Sequence, residues 1–438
     1  MTVVKGRDRR ARVAARSGVG SMFVVLLVAL LMVSCGRPPI GSKGEITPSP
    51  VPPGPATGTL TMWAMGTEGL VLGKIAKDFE AQNPGLNIVI TPIPWGSAHD
   101  KMATAVAAAS TPDMAQMGTT WVPEFARANG LDPTPPNLVN PKDFFEGAWN
   151  TGLVLGTSFG IPWYVETRLI FYRTDLAAKY GAKVPTNWAE FRTFAETFKK
   201  AGIKVPIQLQ SSGKGNIETW LPFLWSAGGE ILNADQTEYT LNSPQAVKAL
   251  TYTSSFFQDG LSPLAVGGKT IQQSFVDGET ASFLSGPWDI QQVIDQSSKE
   301  FYDSKVGVFE MPRDVAPGAF MGGSNLCVFK TAKNRDAAWK FAQYLSTPAV
   351  QQKFYDLSKD LPALPAAWKY PPIAGDQKLS VFGKQMLTAK SAPAIPTWEQ
   401  IRSILDAANE KVNRGVATPQ EGVDQMQTNA TFVGTGLS

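Results

Sequence analysis

Indoles and scattered acids are the side chains through which this chain of 438 residues could engage another molecule. Trp occurs 12 times, an excess for a chain this long, although any one indole can equally be core. An aromatic ring offers a flat apolar face, and a carboxylate or amide can satisfy a ligand hydroxyl. Trp288 follows Gly286-Pro287 where a strand turns into a helix, so its ring projects from the end of an element. Glu68 lies after the first strand, and Thr120 and Trp121 lie after the third. Those are carboxyl ends of strands, where open α/β sheets place their ligands. Tyr164 and Glu166 stand two apart, and Glu166 could instead pair with Arg168. In MGGSN, Gly322 and Gly323 either turn backbone N–H groups toward a ligand, with Asn325 as side-chain partner, or make a tight turn. Asp113 reads as structural, bonding backbone near a strand start.

This inventory suits binding better than catalysis. His99 is the only histidine, and it reads as a solvated residue on a polar helix face. A Ser-His or Cys-His site would have to use it, and a two-histidine metal motif is impossible. There is no cysteine cluster and no GxxxxGK[ST] phosphate loop, so neither cofactor nor metal is expected. A glycoside hydrolase needs only two carboxylates ~5–9 Å apart, and among 37 acids it remains an alternative.

The elements that must hold these residues are legible from periodicity. TLTMWAM reads as a strand, GTEG as a loop, and LVLGKIAKDFEAQ as a helix stopped by NPG. LNIVITP is a second strand, and Ser97 with Asp100 suggests a capping box opening a helix. Asp113–Met117 is a third strand. Strand, helix, strand, helix, strand is an α/β sheet with crossover helices. Later, Asn187 caps a helix whose Trp188, Phe191, Phe194, Ala195 and Phe198 form one face. Ser243-Pro244 opens another that ends at Asp259-Gly260, ASFLSG is a strand, and Pro396–Val423 is mainly helical.

The start of the chain has a different composition. The formal charge is +3, but residues 1–35 alone carry +5, leaving about −2 on the remainder and no call for nucleic acid. A basic stretch precedes the 12 apolar residues Met22–Val33, a helix of about 18 Å, short for a ~30 Å hydrocarbon core. Residues 1–34 therefore read as a secretory signal. LMVSC, with Met32 where Leu is usual, resembles a bacterial lipobox that would lipidate Cys35; the other reading is a plain signal with an incidental cysteine. Lipidation leaves Cys327 without a disulfide partner, as a small buried hydrophobe. Residues 36–58 hold seven Pro and five Gly among 23, and read with Cys35 as an extended linker (35–58).

From TLTMWAMGTEG through STPDMAQMGTTWVPEFARANGL, GIPWYVETRLIFYRTDL, WLPFLWSAGGEIL, GETASFLSGPWDI and FMGGSNLCVF to NRDAAWKFAQYLSTPAVQQKFY, the chain resembles the bacterial extracellular solute-binding proteins of carbohydrate importers, the maltose-binding-like family. The resemblance spans about residues 59–410. It implies an α/β, two-lobed periplasmic-binding-protein-like (type II) fold with an interlobe cleft and three crossings. The crossings are expected near Glu166, Pro312 and Lys359. Lobe 1 is then 59–165 plus 312–358, and lobe 2 is 166–311 plus 359–438. The family places a sugar-lining indole at Trp288 and an aromatic and an acid at Tyr164 and Glu166; Trp225 and Trp398 resemble its aromatics more loosely. The implied protein is a monomeric, lipid-anchored receptor on the outer face of the cytoplasmic membrane, not an enzyme. It would deliver a mono- or disaccharide to the membrane permease subunits of an ABC importer. An α-glucoside such as trehalose or maltose comes first, with an amino sugar, a β-glucoside or another solute as alternatives.

Overall fold

The computed structural model describes residues 48–265 and 267–437. The expected signal (1–34), Cys35 and the first part of the linker lie outside the described residues. No helix among the described residues is long and apolar enough to cross a membrane.

Twelve strands are present among the described residues. The larger sheet contains β1 (Gly58–Met65), β2 (Leu86–Ile93) and β3 (Met114–Gly118), joined by the crossover helices Gly66–Gln82 and Trp95–Ala107. β4 (Leu153–Val154) and β5 (Thr157–Ser158) form a separate hairpin. β6 (Ile161–Thr167) is in the larger sheet, whereas β7 (Leu169–Arg173), β8 (Ser282–Ser285) and β9 (Val306–Phe309) make a smaller one in the order β8-β7-β9. β10 (Ala319–Val328), β11 (Leu361–Pro362) and β12 (Ala389–Lys390) return to the larger sheet, whose order is β11-β6-β10-β3-β1-β2 with β12 paired to β10. β2, β1 and β3 run parallel, β10 runs antiparallel to β3, and β6 runs antiparallel to β10. The molecule is thus a two-lobed α/β protein of the type II binding-protein kind.

The chain first passes between sheets at Arg168, because β6 continues past Glu166 to Thr167. Glu166 itself stays in the larger sheet. It passes again between Phe309 and Ala319. Beyond the expected third crossing near Lys359, Leu361 and Pro362 still pair with β6.

Each side of the larger sheet buries its own core. One is built from β1, β6 and β10 with the helices Arg335–Leu345, Pro348–Ser358 and Gln377–Met386. The other packs Met102, Val122 and Phe125 under β1 and β3. A separate core joins the helices Trp188–Lys200, Ile217–Ser226, Pro244–Gln258, Trp398–Asn413 and Pro419–Val433. The Asn187 side chain caps the first of these, and its predicted apolar face is buried. Ser243 caps the helix opened by Pro244.

Four local expectations need correction. GTEG is not a loop but the first turn of the helix Gly66–Gln82. The helix expected at Ser97 begins at Trp95, directly after β2, with Pro94 before it; the Ser97 hydroxyl donates back to the Pro94 carbonyl rather than capping. The proline-rich stretch is not all free tether: Val51 and Ala56 are buried in the larger-sheet core. Asn83 accepts the Ala56 N–H at 2.8 Å and Arg335 donates to the Ser49 carbonyl at 2.7 Å, so these few apolar side chains found partners the composition did not advertise. His99 is not solvated, as described below.

Asp113 is the structural acid expected. Its carboxylate accepts from Thr61 N at 2.8 Å, Thr61 Oγ1 at 2.7 Å and Asn334 N at 2.8 Å, stitching β1 to the loop after β10. Burial pushes its carboxyl up, but these donors outweigh burial and hold it below the ordinary range.

Candidate ligand-binding cleft

The carboxyl ends of β1, β2 and β3 all open onto one cavity of about 630 Å³. Its near wall is Gly66–Glu68, Trp95 and Gly118–Trp121. The far wall comes from elements of the smaller sheet and the helical core: Trp288, Gln291 and Asp295 of the helix Trp288–Gln296, Glu218, and Arg402. Tyr164, Glu166 and Arg168 run along the first crossing between them.

A polar network forms the floor. Gln116 on β3 accepts the Met65 N–H at 2.7 Å through Oε1, which fixes its amide. Its Nε2 then sits 3.2 Å from each of Glu68 Oε1, Tyr164 Oη and Ser324 Oγ. Tyr164 donates to Glu68 Oε1 at 2.6 Å. Burial raises the Glu68 carboxyl, opposed by the hydrogen bonds of Tyr164 and Gln116, and burial with the nearby acids pushes the Tyr164 phenol well up.

Glu166 and Asp360 are the less satisfied acids. Burial raises Glu166 to about 7; Arg168 works against this, and Glu218 and Glu68 add to it. Asp360 is 8% exposed, its Oδ2 has no partner, and burial plus the charges of Glu68 and Glu166 push it well up. Arg168 is ion-paired with Glu218 and lies between two rings, 5.7 Å from the Trp288 centroid and 5.6 Å from that of Phe320. The expected Glu166–Arg168 alternative is therefore only an electrostatic neighbourhood.

Gly322 and Gly323 are not a turn. They lie within β10 opposite Glu166 and Val165, and the register shifts just after Ser324. A Cβ on Gly322 would come within 2.5 Å of Glu166 Oε1, and one on Gly323 within 2.2 Å of the Tyr164 carbonyl, so the glycines make room for the acid and the crossing strand. Gly323 also has φ +126.

At the cavity edge, Trp121 meets Trp95 edge-on at 5.6 Å. His99 packs against Trp121 and Phe125 and its Nε2 lies 2.9 Å from Glu124. That hydrogen bond, against the opposing effect of burial, raises its imidazole above the ordinary value. The aromatic packing is what removed His99 from solvent. Arg402 pairs with Glu399, which also accepts from Thr120 Oγ1 at 2.9 Å.

Of the side chains singled out from the sequence, Trp288, Glu166, Tyr164, Glu68, Thr120 and Trp121 line this one cavity, together with Gly322 and Gly323. Three do not. Trp225 is 3% exposed and lies parallel behind Phe320, which takes the cavity wall instead. Trp398 is buried in the helical core. Asn325 follows Ser324 on β10 and so faces the other side, where its Nδ2 donates to Thr151 Oγ1 at 3.0 Å. Trp95, Gln116, Glu218, Asp360 and Arg402 were missed. Trp95 could have been found by the strand-end argument that found Thr120, since it follows β2 directly.

Comparison with known proteins agrees with this architecture. The family model described as "Bacterial extracellular solute-binding protein" matches residues 66–352. The sugar-binding protein MalE of Xanthomonas citri superposes with a TM-score of 0.78 at 32% identity, covering 86% of this chain and 97% of that one. The GacH receptor of Streptomyces glaucescens, solved unliganded and with acarbose, gives a TM-score of 0.77 at 25% identity over 85% of this chain and 97% of that chain. A diacetylchitobiose binding protein of Streptomyces coelicolor is 25% identical over 363 residues, 79% of this chain and 82% of that one.

Proposed function

The chain belongs to the bacterial extracellular solute-binding protein family, and on that premise we propose that it captures a mono- or disaccharide for a membrane ABC importer. The observation that carries this is the cavity at the strand ends, where indole faces and carboxyl groups converge from two lobes. Its volume of about 630 Å³ falls in the ~300–1,000 Å³ range of small-molecule sites. Trp288 stacks on the sugar's C–H face, while Glu68, Glu166 and Asp360 take its hydroxyls. Thr120, Trp121 and the Gly322-Gly323 strand complete the near wall. Bound ligand favours the closed arrangement of the lobes, and the importer's permease subunits recognise that form.

In this reading the receptor is monomeric, is not an enzyme, and is held at the outer face of the cytoplasmic membrane through lipidated Cys35. Cys35→Ala should release it into the medium. The sugar-binding reading is tested by a thermal-shift screen of the chain against a sugar library: a ligand of the folded state raises the melting point. A library with no stabilising sugar would count against it. Among neutral sugars an α-glucoside of the trehalose or maltose kind remains the first choice.

A second reading, a surface glycoside hydrolase, draws on one observation: Glu166, raised to about 7, shares the cavity with Glu68 and Asp360. Release of reducing sugar from an oligosaccharide that the chain binds would favour it over the receptor.

A further inference from the structure

Resting on the sugar-receptor reading, we infer that the ligand carries a protonated amine, and that Glu166 and Asp360 receive it. The cavity holds more carboxyl groups than it can neutralise. Its two arginines are already engaged, Arg168 with Glu218 and Arg402 with Glu399. Glu68 is held by Tyr164 and Gln116, and Asp295 accepts from Gln291 at 2.8 Å. That leaves Glu166, on whose carboxyl only burial and neighbouring charges act, and Asp360, whose Oδ2 faces no donor although the residue is 8% exposed.

A carboxylate left unpaired in such a place is costly, and three that feel one another's charge are costlier still. A sugar hydroxyl can donate a hydrogen bond but leaves the mutual repulsion in place. An ammonium group donates up to three and cancels charge, an interaction that grows as the closing lobes exclude water. The nearby indoles present faces that also favour a cation. A bare metal ion is the poorer fit, since among the described residues no three His, Cys, Asp or Glu side chains come together as a metal-binding set.

The test is calorimetric titration of the full chain at pH 7 with two matched series. These are glucose, glucosamine and N-acetylglucosamine, and their β-1,4-linked disaccharides. The expected result is that a free-amine member binds at least tenfold tighter than both its hydroxyl and its acetylated counterparts. Glu166→Gln and Asp360→Asn should each cut that preference to under threefold, because each weakens the free-amine members more than their hydroxyl and acetylated counterparts. Their melting points should be unchanged or higher, since Glu166→Gln removes a buried charge and Asp360 Oδ2 has no donor to lose. Neutral members binding as tightly as the amines would overturn the inference and leave the sugar receptor standing. Failure of all six to bind would overturn the inference, and the sugar receptor would fall with it only if the sugar library also held no stabilising ligand.

Discussion

The Thr120 hydroxyl donates to Glu399 Oε1 at 2.9 Å, joining residues 279 positions apart. Thr120 lies two residues past β3 of the larger sheet, and Glu399 is in the first turn of a helix of the separate helical core. This bond is a latch between the two lobes at the cavity edge. Glu399 keeps Arg402 when Thr120 is changed, so Thr120→Val should leave the fold intact. The ligand-free variant should be more open, with a larger radius of gyration in small-angle scattering, and sugar affinity should fall by up to roughly tenfold. An unchanged radius and affinity would show that the bond does not hold the lobes.

Trp288→Ala should weaken sugar binding by well over tenfold with the melting point little changed. The ring is partly exposed in the cavity and contributes stacking and water exclusion together. Trp225→Phe, by contrast, should cost stability and leave affinity nearly intact, because Phe320 stands between it and the cavity.

Acidity should stabilise the ligand-free protein. Glu166 is raised from 4.5 to about 7, so between those values the folded chain binds a proton that the unfolded chain releases. Stability is then greatest at the acid end and falls as pH rises through that window. Glu68 and Asp360, raised by burial, act in the same direction. His99, raised mainly by Glu124, also stabilises at low pH and loses that contribution as pH rises through its folded value. Unfolding free energies from denaturant titration should be larger at pH 5.5 than at pH 7.5, and Glu166→Gln should shrink the difference by on the order of 2 kcal/mol. An unfolding free energy that rises with pH would contradict the assignment.

Asp113→Ala should destabilise the chain by about 2–3 kcal/mol, since it strands the Thr61 and Asn334 N–H groups. Urea unfolding would show this. Sugar affinity of the folded fraction should not move, because Asp113 does not line the cavity.

What the sequence reveals follows from where its information is local. Asn187 before an amphipathic run and Ser243-Pro244 before another declare helix starts because the capping chemistry is contained in four residues. Trp288, Thr120 and Glu68 were legible because an element end is a local event. Asp360 and Arg402 were not: no neighbouring residue marks either as a cavity wall, and each reaches it only through the lobe arrangement. Asn325 was misplaced for a related reason. Strand alternation decides its face, and MGGSN looks like a turn until Glu166 and the crossing strand are seen to need the missing Cβ atoms. His99 was misread because its burial depends on Trp121 and Phe125, more than twenty positions away.

Arg168 is the single residue separating β6 from β7, and its side chain also belongs to the cavity wall. The first passage between the sheets therefore carries a cavity-wall group, and a tilt of one sheet against the other there would move it. Substituting it should disturb occupancy and lobe angle at once, so a receptor of this build has no separate sensor and lever to be uncoupled at that position.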